Sequence, residues 1–284
     1  MDGQPAHRNR HPYALTGFGN ALLLTGDPKY VDLWRNQIKA VNANAKRIDG
    51  RMMYPKMFGD EGWYAFDPEP YSVGALEIYF WSMKREDRER VGRDPWLDFL
   101  DGRNPDYPER ALRADFARIR ERVAGQRADS STPDTRLADD PMKYNPASVR
   151  SLIELMLGGL HPGHQASPLH CRLRYFDPAQ RRPGMPEDVG ALVEKLGDRE
   201  LTVQLVNINQ SEPRDVIVQT GCYGEHLCTA VAIDGREVAL NQPYFRVRLA
   251  PGAGSRVVVK TNRYASTPTL WRPWDRPSVE HASN

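Results

Sequence analysis

His170-Cys171-Arg172-Leu173-Arg174-Tyr175-Phe176 is the stretch at which the hydrophobic period of this chain changes. Upstream, apolar residues recur at intervals of three and four. Here they alternate with arginine, the period of two expected of a half-buried strand. The alternation continues toward the C-terminus, with strand signals at 201–208, 214–220, 227–233, 244–249 and 255–261. Leu201, Val203 and Leu205 alternate with Thr202 and Gln204, and Phe245, Val247 and Leu249 with Arg246 and Arg248. Asp234-Gly235 is a two-residue hairpin signal, and Pro251-Gly252-Ala253-Gly254 marks another turn. Short strands at regular spacing predict an antiparallel β-sandwich over residues 170–264. A short helix, Pro186 to Leu196, is expected to interrupt it. Residues 265–284 read as an extended tail, with Trp271 and Trp274 expected to pack back on the helical part.

Before His170 the pattern is helical. Leu15, Phe18 and Leu22-Leu23-Leu24 make an apolar helix ending at Gly26. Asp27 then caps a second helix with Pro28 at its first position, where the missing N–H is no loss. Val31, Trp34, Ile38 and Val41 form that helix's apolar face, and the two helices form an αα-hairpin. Ser72 is expected to cap a third helix carrying Val73, Leu76, Phe80 and Met83. Leu112, Phe116, Ile119 and Val123 line a fourth, over 108–125, and Asn145-Pro146 begins a fifth. Residues 46–71 and 128–144 are left as loops. The expected fold class is therefore α+β and multidomain, with an α-helical hairpin domain over 14–160 followed by the sandwich.

Composition narrows the function. With 284 residues, 40% hydrophobic and 27% charged, the chain is globular in type. A formal charge of +2 lacks the basic excess of a dedicated nucleic-acid binder, so no nucleic-acid partner is expected. No apolar run approaches the length of a membrane span, and the first residues lack the apolar core of a signal peptide. Secretion or a periplasmic location is expected only if an N-terminal extension is missing. The three cysteines, Cys171, Cys222 and Cys228, are too few for a disulfide framework. Either all three are reduced or Cys222 and Cys228 pair.

Helix, then Leu22-Leu23-Leu24-Thr25-Gly26-Asp27-Pro28-Lys29-Tyr30-Val31-Asp32-Leu33, then helix, resembles the hairpins of (α/α) toroid proteins among glycoside hydrolases and related carbohydrate-active enzymes. Helical hairpins followed by a β-sandwich are also similar to the domain order of those enzymes. The resemblance implies a partial α/α toroid, an accessory sandwich and an oligo- or polysaccharide substrate. A complete toroid has more hairpins than this chain supplies. The chain thus resembles the C-terminal part of a larger enzyme, and either a missing N-terminal half or a second copy of the chain is expected to cover an exposed helical face.

The chemistry is sought first in Tyr54-Pro55-Lys56-Met57-Phe58-Gly59-Asp60-Glu61-Gly62-Trp63-Tyr64-Ala65-Phe66, which has neither core period. Asp60 and Glu61 are the candidate acid and base. Glycosidases need two carboxyls ~5–5.5 Å or ~6.5–9.5 Å apart. Tyr54, Trp63 and Tyr64 are candidate stacking platforms for a sugar. The second loop offers Asp134, Arg136, Asp139, Asp140 and Tyr144 as substrate contacts. His161, His164 and His170-Cys171 are metal-ligand types, but their spacing fits no zinc pattern, and neither metal nor cofactor is expected. Cys222 and His226 offer a nucleophile–base pair that lacks an evident third member. The reading is a glycoside hydrolase or polysaccharide lyase. The alternatives are a non-catalytic glycan- or protein-binding module and a terpene-cyclase-like α/α protein.

Overall fold

The structure, a computed structural model, describes residues 15–132, 134–135, 145–147, 149–162 and 168–275. It is a mixed α+β protein whose strand pairings are antiparallel. The chain divides into two compact units. The first runs to Arg93 and takes in Arg263–Pro268; the second comprises Asp94–His161, Leu169–Asn262 and the residues from Thr269. Among the described residues, no helix is long and apolar enough to cross a membrane.

The first unit opens with the expected hairpin, α1 (Leu15–Thr25) and α2 (Lys29–Asn42). The Asp27 carboxylate accepts the Lys29 N–H at 2.9 Å, so the acid before the proline satisfies an orphan amide of α2. Val31, Trp34 and Val41 are buried, and the Trp34 ring meets Phe18 and Trp81 at centroid distances of 6.0 and 5.4 Å. Helix α3 (Ala75–Ser82) starts after Gly74 with no side-chain cap, so Ser72 does not take the role expected of it. A short α4 (Arg85–Arg88) follows.

The segment read as a loop over 46–71 contains a three-stranded sheet: β1 (Lys46–Ile48), β2 (Arg51–Gly59) and β3 (Gly62–Asp67), in the order β1-β2-β3. Its strands hid from the period test because both faces carry apolar and aromatic residues. Where neither face is uniformly polar, alternation vanishes from the sequence even though the backbone alternates.

The second unit holds the sandwich. Its helices are α5 (Pro95–Leu100), α6 (Tyr107–Ala128) and α7 (Arg150–Leu157). Its strands are β4 (Gly159–Leu160), β5 (His170–Cys171), β6 (Leu173–Asp177), β7 (Arg182–Pro183), β8 (Val189–Leu196), β9 (Glu200–Asn207), β10 (Arg214–Thr220), β11 (Leu227–Ile233), β12 (Arg236–Gln242), β13 (Tyr244–Leu249) and β14 (Gly254–Asn262). One sheet has the order β13-β10-β6-β7 and the other β12-β11-β14-β9-β8. Alternate residues of both, among them Leu173, Val203, Val218, Phe245 and Val257, share one apolar core. Each such buried side chain contributes roughly 1.5–3 kcal/mol over its exposed state.

Three expectations fail here for identifiable reasons. The segment 186–196 is strand β8, not helix. Its Ala, Leu, Glu and Lys suit a helix, but edge pairing to β9, with Val193 opposite Val203 and fully buried, overrides that preference. Helix α7 begins at Arg150 rather than behind Asn145. The buried Asp115 carboxylate of α6 accepts the Ser151 N–H at 3.2 Å and supplies the cap from a neighbouring helix. The α6 stripe is likewise different from that expected, since Phe116 is 58% exposed while Asp115 is buried. In the tail, Trp274 packs edge-on against Phe176 of β6, at 5.9 Å, and Trp271 is exposed.

Candidate functional site

Strands β2 and β3 form a two-residue hairpin in which Gly59 pairs with Gly62 and Phe58 with Trp63. Asp60 and Glu61 are the turn itself, and both are exposed. Gly62 carries the left-handed conformation, φ +95°, that closes the turn back into the strand. The two carboxylates thus stand at a solvated tip, beyond the strands that carry the aromatics.

Pairing sorts the remaining candidates by face. Cross-strand partners point to one side, and alternate residues of β2 share it. Tyr54, Lys56 and Phe58 therefore lie on the same face as Trp63 and Asp67, and Tyr64 lies on the other with Met57. The Phe58 and Trp63 rings meet edge-on at 5.0 Å, and Phe58 is 47% exposed. Lys56 Nζ stands 3.8 Å from Asp67 and donates to the Glu69 carbonyl. On the opposite face the Lys46 ammonium lies 4.0 Å from the centre of the Phe66 ring. Of the three expected sugar platforms, Tyr54 and Trp63 share a face, four residues apart along the hairpin, and Tyr64 lies on the other. Phe58 is the aromatic of this face that sequence reasoning passed over. Its place opposite Trp63 could have been read by centring the hairpin on the Gly59/Gly62 pair.

Glu69 leads into a cleft of about 600 Å³ in the same unit, lined among others by Arg35, Lys39, Tyr71, Ile78 and Arg90. Its most constrained member is Asp87, 1% exposed. Arg35 grips both Asp87 oxygens, Ser82 Oγ donates at 2.6 Å, and Arg90 approaches at 3.3 Å. Burial pushes this carboxyl up, but the bonds from Arg35 and Ser82 outweigh it and hold Asp87 below the usual carboxylate range. None of these residues carried a signal in sequence, because the site joins Arg35 of α2 to Ser82 at the end of α3, Asp87 in α4 and Arg90 just beyond it.

Asp134 of the second candidate loop is exposed and belongs to the second unit. Arg136, Asp139, Asp140 and Tyr144 lie outside the described residues, as does His164. Among the described residues, no three His, Cys, Asp or Glu side chains cluster as a metal site. His170 is buried in β5, and burial lowers its pKa to about 4.

The Cys222/His226 idea is answered by a different constellation. The Cys222 thiol is held below its ordinary range chiefly by Cys171, not by the histidine, and His226 Nε2 stands 3.9 Å from Glu225 Oε1. Glu225 is 1% exposed and accepts the backbone N–H groups of Cys222 and Tyr223 at 3.3 and 2.8 Å. Desolvation nevertheless raises its pKa to about 7. This is an internal carboxylate that organises a strand connection.

A family model described as a domain of unknown function, DUF8034, matches residues 92–153. No curated protein and no solved structure matches the chain. The matched segment spans α5, α6 and the start of α7; it excludes the hairpin and, of the residues lining the cleft, includes Gly92 alone.

Proposed function

We propose that this chain binds a carbohydrate non-covalently through the Tyr54/Phe58/Trp63 face of the hairpin and the cleft that Glu69 joins to it. The observation that carries the reading is the edge-on pair of half-exposed Phe58 and partly buried Trp63, on one face with Lys56 and Asp67. A sugar ring offers C–H groups on its flat side and hydroxyls around its rim. An aromatic ring takes the first, and charged or amide side chains take the second. Both are present on this face within a few residues.

A second reading keeps Asp60 and Glu61 as acid and base of a hydrolase or lyase. The observation favouring it is that the turn bearing them closes the strands that carry the aromatic face. It requires a further carboxyl across the bound sugar. The α1–α2 hairpin is then read as one unit of an (α/α) toroid, as its sequence resemblance implies.

The test is calorimetric titration of the chain with a panel of neutral and acidic oligosaccharides. Trp63→Ala and Phe58→Ala should each weaken binding by about tenfold, ~1.4 kcal/mol, while the unfolding midpoint stays put. Binding that survives both substitutions removes the aromatic face from the account. If any ligand is turned over, a loss of ~10²–10⁴-fold in Glu61→Gln or Asp60→Asn supports the second reading, and unchanged turnover ends it.

A further inference from the structure

Cys171 and Cys222 lie where two strands leave the sandwich side by side. Strands β6 and β10 pair antiparallel, with Thr220 opposite Leu173. The Gly221 N–H extends the ladder to the Arg172 carbonyl at 2.8 Å. Cys171 and Cys222 are the residues immediately beyond this bond on the two strands. Disulfide-linked residues have Cα atoms ~4.4–6.8 Å apart, a separation within reach of residues that flank a ladder bond. Each thiol is the main electrostatic partner of the other, and the Cys171 thiol is directed to the Leu173 carbonyl at 3.1 Å. Both are free and buried. Cys228 is held elsewhere, its thiol directed to the Ala230 carbonyl.

We propose that Cys171 and Cys222 form a reversible cross-strand disulfide, made by exchange with a low-molecular-weight disulfide. In the first step the Cys222 thiolate attacks one sulfur of the oxidant, forming a mixed disulfide and expelling one thiolate. That thiolate takes the Cys171 proton. The Cys171 thiolate then attacks Cys222 Sγ and expels the second half of the oxidant as a thiolate, which is protonated by solvent. Two protein thiols lose two electrons and two protons, and one oxidant disulfide becomes two thiols. The local electrostatics match this order. Cys171 holds the Cys222 thiol below its ordinary range, with Arg174 acting in the same sense, and Cys222 in turn pushes Cys171 up. The bridge would fasten β5 to the connection that carries Glu225.

The test uses the full chain incubated with oxidised glutathione, then alkylated, digested and read by mass spectrometry. The expected product is a peptide pair joined through Cys171 and Cys222. It should be accompanied by a rise in melting temperature of roughly 5–10 °C that dithiothreitol reverses. Cys171→Ser and Cys222→Ser should abolish both readouts, and Cys228→Ser should leave both intact. A bridge involving Cys228, or a glutathione adduct on Cys222 that never resolves, overturns the proposal. To exclude simple inaccessibility, the incubation is repeated in urea just below the unfolding midpoint. Thiols that remain unlinked there also overturn it, and this arm needs no variant to fold.

Discussion

Two glycine-framed turns of this molecule carry carboxylates to opposite ends of the solvation scale. In Gly59-Asp60-Glu61-Gly62 the acids point into water at a hairpin tip, and the aromatics stay on the strands behind them. In Gly221-Cys222-Tyr223-Gly224-Glu225 the acid folds inward and is met by backbone amides. The residue types are alike. What differs is whether the turn closes tightly, with a ladder pair on each side, or runs on long enough to bring its own N–H groups around a side chain. The first kind leaves its carboxylates exposed at the surface. The second spends it on the fold.

Asp87 is the strongest way to probe the internal kind, because cations rather than amides hold it. Asp87→Ala would leave the Arg35 guanidinium largely buried with its main partner gone. The expected loss is ~3–5 kcal/mol by chemical denaturation, the usual result of removing one member of a buried pair. A loss within ~1 kcal/mol would mean that water or Asp32 takes over.

The turn glycines give a smaller and more direct contrast. At Gly221 φ is +82° and an added Cβ would sit 2.3 Å from the Glu225 carboxylate. At Gly62 φ is +95° but nothing lies within 4 Å. Gly221→Ala should cost on the order of 2–3 kcal/mol and Gly62→Ala about 1 kcal/mol, compared side by side in urea. Equal losses would show that backbone strain alone decides both.

A pH titration of stability separates two of the buried ionisable groups of the second unit, Glu225 and His170. Glu225 titrates at about 7 when folded against an ordinary 4.5, so the native state holds a proton that the unfolded chain releases. Its contribution is complete below pH 4.5 and is lost as pH rises to 7. His170, lowered to about 4 from 6.5, acts in the other direction: stability present above pH 6.5 is lost as pH falls toward 4. Glu225→Gln should therefore match the parent near pH 4.5 and exceed it above pH 7, by on the order of 1–3 kcal/mol. A parallel pair of curves would contradict the assignment to Glu225.

The same contrast explains what could be read from sequence. The sandwich strands were legible because their inner positions, such as Val203 and Val247, alternate with Gln204 and Arg248. The β2–β3 hairpin was not, because Met57 and Tyr64 on one face are as apolar as Phe58 and Trp63 on the other. Strand β8 was misread because pairing with β9, a long-range event, defeated its helix-forming composition. For the site, Asp60, Glu61, Tyr54 and Trp63 were visible as residue types in one stretch. Phe58 as part of that aromatic face, and the cleft around Asp87, needed the strand register and the contact of α2 with distant residues.

The smallest effect on stability should accompany the largest effect on binding, and that is where the account is most exposed. Amide hydrogen exchange, with and without a saturating oligosaccharide from the titration panel, measures it directly. The account predicts slowed exchange within residues 51–67 and 69–72, and little change along β11 to β13. Protection confined to the sandwich strands, with the hairpin unaffected, would contradict it.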